Sequence, residues 1–109
     1  MPTQEESNNY RNPQLSVLIG PEPGRRLTIS KPRIIIGRGI SSDIRFNDRA
    51  MSRTHCEILK NEDNLIIRDL ESQNGIRVNG RDVTEQILQD GDQLDIGSMR
   101  FIVIIPEPE

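Results

Sequence analysis

Arg38 stands directly after Gly37, where the β-branched run Ile34-Ile35-Ile36 stops abruptly. A short polar stretch from Gly39 to Asp43 follows, then the brief apolar segment Ile44-Arg45-Phe46. A second polar stretch, Asn47 to Ser52, leads into Arg53, Thr54 and His55. Between Lys31 and Arg53 stand six bases (Lys31, Arg33, Arg38, Arg45, Arg49, Arg53) against two acids (Asp43, Asp48), a local charge of +4 in a chain whose net charge is −3. Arginines and hydroxyls on two loops, each launched from a rigid strand, suit the capture of a doubly charged oxyanion. Arg38 brings a planar fork of donors that holds two oxygens at once, and Gly37 lets the backbone turn closely there. Ser52 brings a hydroxyl donor, and Arg53 adds charge from the same loop.

The elements that must carry these loops read as strands. Helical spacing with a cap is nearly absent; the nearest window, Val83 to Leu88, is too short. Strand signals recur about every 8–12 residues, the spacing of a sandwich or barrel. They cover Leu15 to Ile19, Arg25 to Ile29, Arg33 to Ile36, His55 to Lys60, Leu65 to Leu70, Ile76 to Val78, Gln93 to Ile96 and Met99 to Ile105. The last is nearly continuous in apolar residues and predicts a strand inside the sandwich. In His55–Lys60, Cys56 and Ile58 fall on one face and Glu57 on the other. Asn61-Glu62-Asp63-Asn64, Glu71-Ser72-Gln73-Asn74-Gly75 and Asp90-Gly91-Asp92 read as turns or loops, and Asn79-Gly80 is the strongest turn signal in the chain. Connections this short call for antiparallel neighbours, since parallel strands need crossovers of about a dozen residues. The expectation is an all-β, antiparallel β-sandwich of roughly ten or eleven strands with its loops gathered at the ends.

Bulk properties bound the rest. The chain has 109 residues, enough for one domain with a single core. Hydrophobic residues make up 33%, below the usual ~45–50%, and part of the deficit lies in the ends. Residues 1–12 offer almost nothing to bury and read as a flexible tail; residues 13–105 read as the domain; Pro106-Glu107-Pro108-Glu109 reads as an acidic tail or linker. A net charge of −3 argues against general binding to nucleic acid or anionic membrane. The three aromatics, Tyr10, Phe46 and Phe101, are few for stacking on bases. Nothing approaches the ~20 apolar residues of a membrane span. The lone Cys56 forms no internal disulfide and leaves no Cys/His cluster for a metal, so no metal and no cofactor are expected, and a reducing, cytoplasmic setting is the simplest reading. No Ser/His/Asp arrangement is identifiable, which argues against an enzyme.

Taken together, Gly37-Arg38, Ser52-Arg53-Thr54-His55, Ser72-Gln73-Asn74-Gly75 and Val78-Asn79-Gly80, in this order and spacing, resemble the forkhead-associated (FHA) domain. The resemblance covers about residues 14 to 105 and implies an eleven-stranded β-sandwich that recognises phosphothreonine with loops at one end. It implies that Arg38 and Ser52 are the principal phosphate ligands, that Arg53 assists them, and that Asn74 hydrogen-bonds the main chain of a bound peptide, with Ser72 and Gln73 on the same loop. Gln73 departs from the Thr or Ser often found there. His55 matches a residue that braces the loops from inside, and Gly37, Gly75, Asn79 and Gly80 supply structural support. The function implied is a phosphothreonine-peptide adaptor in Ser/Thr-kinase signalling, whose partner is a kinase substrate.

Several readings stay open at this level. A domain of this fold that binds unphosphorylated protein within a larger assembly is the main alternative. Arg53 either serves the ligand or pairs with an acid such as Asp48. Arg45, Arg49 and Arg77 either solubilise the rim or set which residues are accepted beside the phosphothreonine. Asp43 is expected to tie its own loop, Cys56 to be a small buried hydrophobe, and Asn79 to be a turn. Thr3, in the N-terminal tail, is a candidate for phosphorylation and for weak self-association through the same site.

Overall fold

Apolar and polar residues alternate along the strands because successive side chains point to opposite faces of a sheet. The computed structural model describes residues 12–107, and there the alternation closes a two-layer sandwich of eleven strands. In chain order these are β1 (Gln14–Ile19), β2 (Arg26–Thr28), β3 (Arg33–Gly37), β4 (Ile44–Arg45), β5 (Cys56–Lys60), β6 (Leu65–Asp69), β7 (Ile76–Val78), β8 (Arg81–Val83), β9 (Glu85–Leu88), β10 (Gln93–Ile96) and β11 (Met99–Ile104). One sheet has the order β2-β1-β11-β10-β7-β8 and the other β4-β3-β5-β6-β9. Thr3 and most of the N-terminal tail lie outside the described residues.

The core is what the strands turn inward. Leu15 and Val17 of β1, Leu94 and Ile96 of β10, and Met99, Phe101 and Val103 of β11 meet Ile34 and Ile36 of β3, Cys56 and Ile58 of β5 and Leu65 and Ile67 of β6. Each such side chain contributes about 1.5–3 kcal/mol when fully buried. Two of the core residues come from the loop between β4 and β5. Phe46 packs its ring 5.8 Å from that of Phe101, and Met51 is only 2% exposed. These two anchors sit on either side of the polar stretch 47–50, so the loop is pinned to the core at both ends.

Three features depart from the sequence reading. The β3–β4 pair is parallel, with Ile36 opposite Ile44 and Gly37 opposite Arg45, whereas every connection was expected to be antiparallel. The crossover rule fails here because β4 is two residues long: the chain retreats by only about two residues' rise, ~7 Å, and the loop 38–43 spans that. Residues 81–88, part of which came nearest to a helical pattern, form β8 and β9. Finally, β11 is central in its sheet but buries only every second residue, leaving Arg100, Ile102 and Ile104 half-buried on the outer face.

Glu57 does project from the face opposite Cys56 and Ile58, yet it is buried. Arg33 and Arg68 on the flanking strands close over it and pair with its two carboxylate oxygens. Its central position in the sheet makes that cover possible. The free thiol of Cys56 lies in the core, where burial first, and the nearby Asp69 and Glu57 carboxylates second, push its pKa far above the usual thiol range.

Candidate functional site

The end of β3 and the loop before β5 are zipped together through backbone. The Arg38 N–H donates to the Ser52 carbonyl at 3.0 Å, the Gly39 N–H to the Arg53 carbonyl at 2.9 Å, and the His55 N–H to the Ile36 carbonyl at 2.9 Å. Such close approach requires a residue without a side chain. A Cβ added at Gly37 would lie 2.2 Å from the Arg53 carbonyl oxygen and 2.8 Å from the Ser42 hydroxyl oxygen. Gly37 is thus a steric requirement, not a conformational one, and it places Arg38 and Ser52 side by side in space.

The two side chains are held differently. Arg38 is exposed, and its Nε donates to the Met51 carbonyl at 3.2 Å. That bond leaves the terminal guanidinium nitrogens for a ligand. Ser52 is half-buried, and its Oγ accepts the Gln73 N–H at 3.0 Å. Because the hydroxyl acts there as acceptor, its own hydrogen remains available to donate. Ser52 therefore joins the 38–43, 47–55 and 71–75 loops at one point.

His55 secures this junction from beneath. It is fully buried, its Nδ1 accepts the Ser52 N–H at 3.0 Å, and its Nε2 lies 2.7 Å from the Gly75 carbonyl. With Nδ1 accepting, the ring proton sits on Nε2 and donates to Gly75. Asn74 adds a second strap, donating from Nδ2 to the Ala50 carbonyl at 2.9 Å, with its side-chain oxygen left over. Gln73 and Asn74 are exposed. Ser72 is not: its hydroxyl donates to Asp69 and accepts the Gly75 N–H at 2.9 Å, so it is spent inside its own loop.

Asp48 is a strut that sequence reasoning considered only as a partner for Arg53. It accepts from the Ser98 N–H at 2.9 Å, the Ser98 hydroxyl at 2.8 Å and the Ala50 N–H at 3.0 Å. Burial opposes its ionisation, but these hydrogen bonds outweigh that and hold its carboxyl below the usual carboxylate range. Only the Ala50 contact, an Asx turn, is local enough to read from the chain; Ser98 is fifty residues away in sequence. Asp43 ties its loop as expected, accepting from Lys31 and from the Ile35 N–H, both at 2.8 Å. The Lys31 hydrogen bond first, and the Ile35 N–H second, lower its pKa. Asn79 and Gly80 form a turn with φ of 52° and 82°, and Asn79 reaches Asp92 and Gln93 at the end of β7 away from the site.

Charge is partitioned along the molecule. Lys31, Arg33, Arg68, Arg77 and Arg100 each pair with an acid. Among the described residues, Arg38, Arg45, Arg49 and Arg53 make no ion pair, and Arg53 has no bond to Asp48. Four exposed arginines, Arg38, Arg45, Arg49 and Arg53, thus stand in one short stretch of chain without a paired acid. A concavity of about 340 Å³ lies among them, lined by Arg38, Gly39, Ile40, Ser41, Arg45 and Arg53.

Comparison with known proteins identifies relatives of this chain. A family model of the FHA domain matches residues 34–97. The oxoglutarate dehydrogenase inhibitor of Corynebacterium efficiens is 37% identical over 90 residues, which is 83% of this chain and 63% of that protein. This chain thus spans less than two thirds of that relative's length. A solved structure from work on phosphothreonine-dependent FHA domain interactions superposes with a TM-score of 0.81 at 33% identity, covering 89% of this chain and 99% of the other. The FHA domain of FhaA, solved in complex with the intracellular domain of another protein, gives a TM-score of 0.76 at 35% identity, covering 84% and 98%. By family match, sequence identity and fold, this chain belongs to the FHA family.

Proposed function

We propose that the chain is a phosphothreonine-recognition module, acting as a non-enzymatic adaptor for a protein phosphorylated by a Ser/Thr kinase. The observation that carries this reading is the junction at Ser52. The Arg38 backbone is bonded to that of Ser52, the guanidinium keeps its terminal donors, and the hydroxyl keeps its hydrogen. A phosphothreonine brings about −1.5 to −2 charges and three acceptor oxygens. Arg38 takes two of those oxygens and Ser52 the third, with Arg53 adding positive charge. Asn74 offers its remaining amide oxygen to the peptide backbone, with Gln73 beside it, and Ser72 acts only through the loop it holds. The regulator names of relatives, such as the glycogen accumulation regulator of Mycolicibacterium smegmatis, support the adaptor reading.

The test is titration with a phosphothreonine peptide and its unphosphorylated twin, repeated with Arg38→Ala. Two charge-assisted bonds of about 1.5–3 kcal/mol each make the expected loss in the variant at least a hundredfold. Equal affinity for both peptides would favour a domain that binds unphosphorylated protein, and unchanged binding by Arg38→Ala would refute the site.

A further inference from the structure

Arg45 is built in the same manner as Arg38. Its register opposite Gly37 sets it beside the start of the 38–43 loop. There its Nε donates to the Arg38 carbonyl at 3.0 Å, as the Nε of Arg38 donates to the Met51 carbonyl. In both residues the terminal nitrogens make no hydrogen bond among the described residues, and neither guanidinium meets an acid. Arg45 and Arg53 line the concavity with Arg38, and the exposed Ile40 forms its lip. An arginine that only solubilises a surface needs no such anchor. Immobilising a long side chain costs rotamer entropy, and a guanidinium already pinned at Nε has met part of that cost before any ligand arrives.

We infer that Arg45, with Arg53, forms a second anion subsite beside the phosphothreonine site, one that takes another negatively charged side chain of the same ligand. The inference rests on the phosphothreonine reading above and deepens it. The shared chemistry is an oxyanion, either the carboxylate of an acidic residue or a second phosphate. Both fit a planar fork of donors, and the phosphate carries more charge.

The experiment uses synthetic peptides with one phosphothreonine and alanine flanks. Glutamate, and separately phosphoserine, is placed at each neighbouring position in turn, and every peptide is titrated against the wild-type chain, Arg45→Gln and Arg49→Gln at about 0.15 M salt. At one position glutamate is expected to tighten binding about two- to fivefold, and phosphoserine on the order of tenfold. Both gains disappear in Arg45→Gln and persist in Arg49→Gln, while the alanine-flanked peptide binds Arg45→Gln within about twofold of wild type. The inference is overturned if no position gains, if the gain survives Arg45→Gln, or if Arg49→Gln erases it equally, which would mark a diffuse field. It is also overturned if Arg45→Gln weakens all peptides alike, which would mark a loop brace. If the alanine-flanked phosphopeptide itself does not bind, the phosphothreonine reading falls, and this inference with it.

Discussion

Gly37→Ala is the most exacting test of how the site is assembled. The new Cβ would stand 2.2 Å from the Arg53 carbonyl oxygen, whereas real Cβ atoms essentially never approach another heavy atom within 3.0 Å. The loops must therefore part by nearly 1 Å. The obstruction is backbone, so no side-chain rotation relieves it. Separation lengthens the Arg38–Ser52 and Gly39–Arg53 backbone bonds, now 3.0 and 2.9 Å. Each is worth about 1 kcal/mol net, and overpacking adds about 1–3 kcal/mol. The expected destabilisation is about 2–4 kcal/mol by denaturant titration, with a loss of phosphothreonine affinity of at least tenfold under conditions where the variant is folded. Gly80→Ala is the control. It meets nothing within 4 Å and has φ of +82°, so it carries only the left-handed strain of about 1–2 kcal/mol and leaves affinity unchanged. Were Gly37→Ala to lose less than about 0.5 kcal/mol and bind normally, the contact with Arg53 would not be what brings Arg38 to Ser52.

Three further outcomes are expected. Ser52→Ala should weaken phosphopeptide binding about ten- to a hundredfold, measured by fluorescence anisotropy; it should lower stability only modestly, since the Gln73 N–H loses its acceptor at an exposed position. Asp48→Asn should destabilise the fold at neutral pH, and because the folded pKa of Asp48 is depressed, its stabilisation is present above the unfolded value near ~3.9 and is lost as pH falls through the lower folded one. The melting-temperature gap between variant and wild type should therefore close in acid, and a gap that stays constant would refute the strut. Phosphopeptide affinity should fall between pH 7.5 and 5.5, because the phosphate's second pKa is about 6; a flat isothermal-titration profile would contradict selection of the dianion.

The fold was legible because its signals are local. Alternation in β1 and β10, and turn chemistry at Asn61–Asn64 and Asn79-Gly80, depend on neighbours in sequence. The strands that escaped, β8 and β9, are short and lie at sheet edges, where only Leu88 is buried. With a single buried side chain between them, they carry no alternation to read. The parallel β3–β4 pair escaped for a related reason: two residues carry no periodicity at all.

The site divides along the same line. The bases at Arg38, Arg45 and Arg53 could be counted from the chain, but which of them stay unpaired could not. That depends on acids brought from elsewhere, as Glu57 is brought to Arg33 across β3 and β5, and Asp48 to Ser98 across the two sheets. Asp48 is the instructive case. In sequence it is the acid nearest Arg53 on their shared loop and looks like its partner. In the fold three donors from Ala50 and Ser98 occupy it. Those bonds hold both carboxylate oxygens on Ala50 and Ser98, so Asp48 keeps its charge but forms no ion pair with Arg53. The strut thus leaves the Arg53 guanidinium unpaired, so a variant that frees Asp48 from Ser98 and lets it pair with Arg53 is expected to weaken phosphate capture as well as stability.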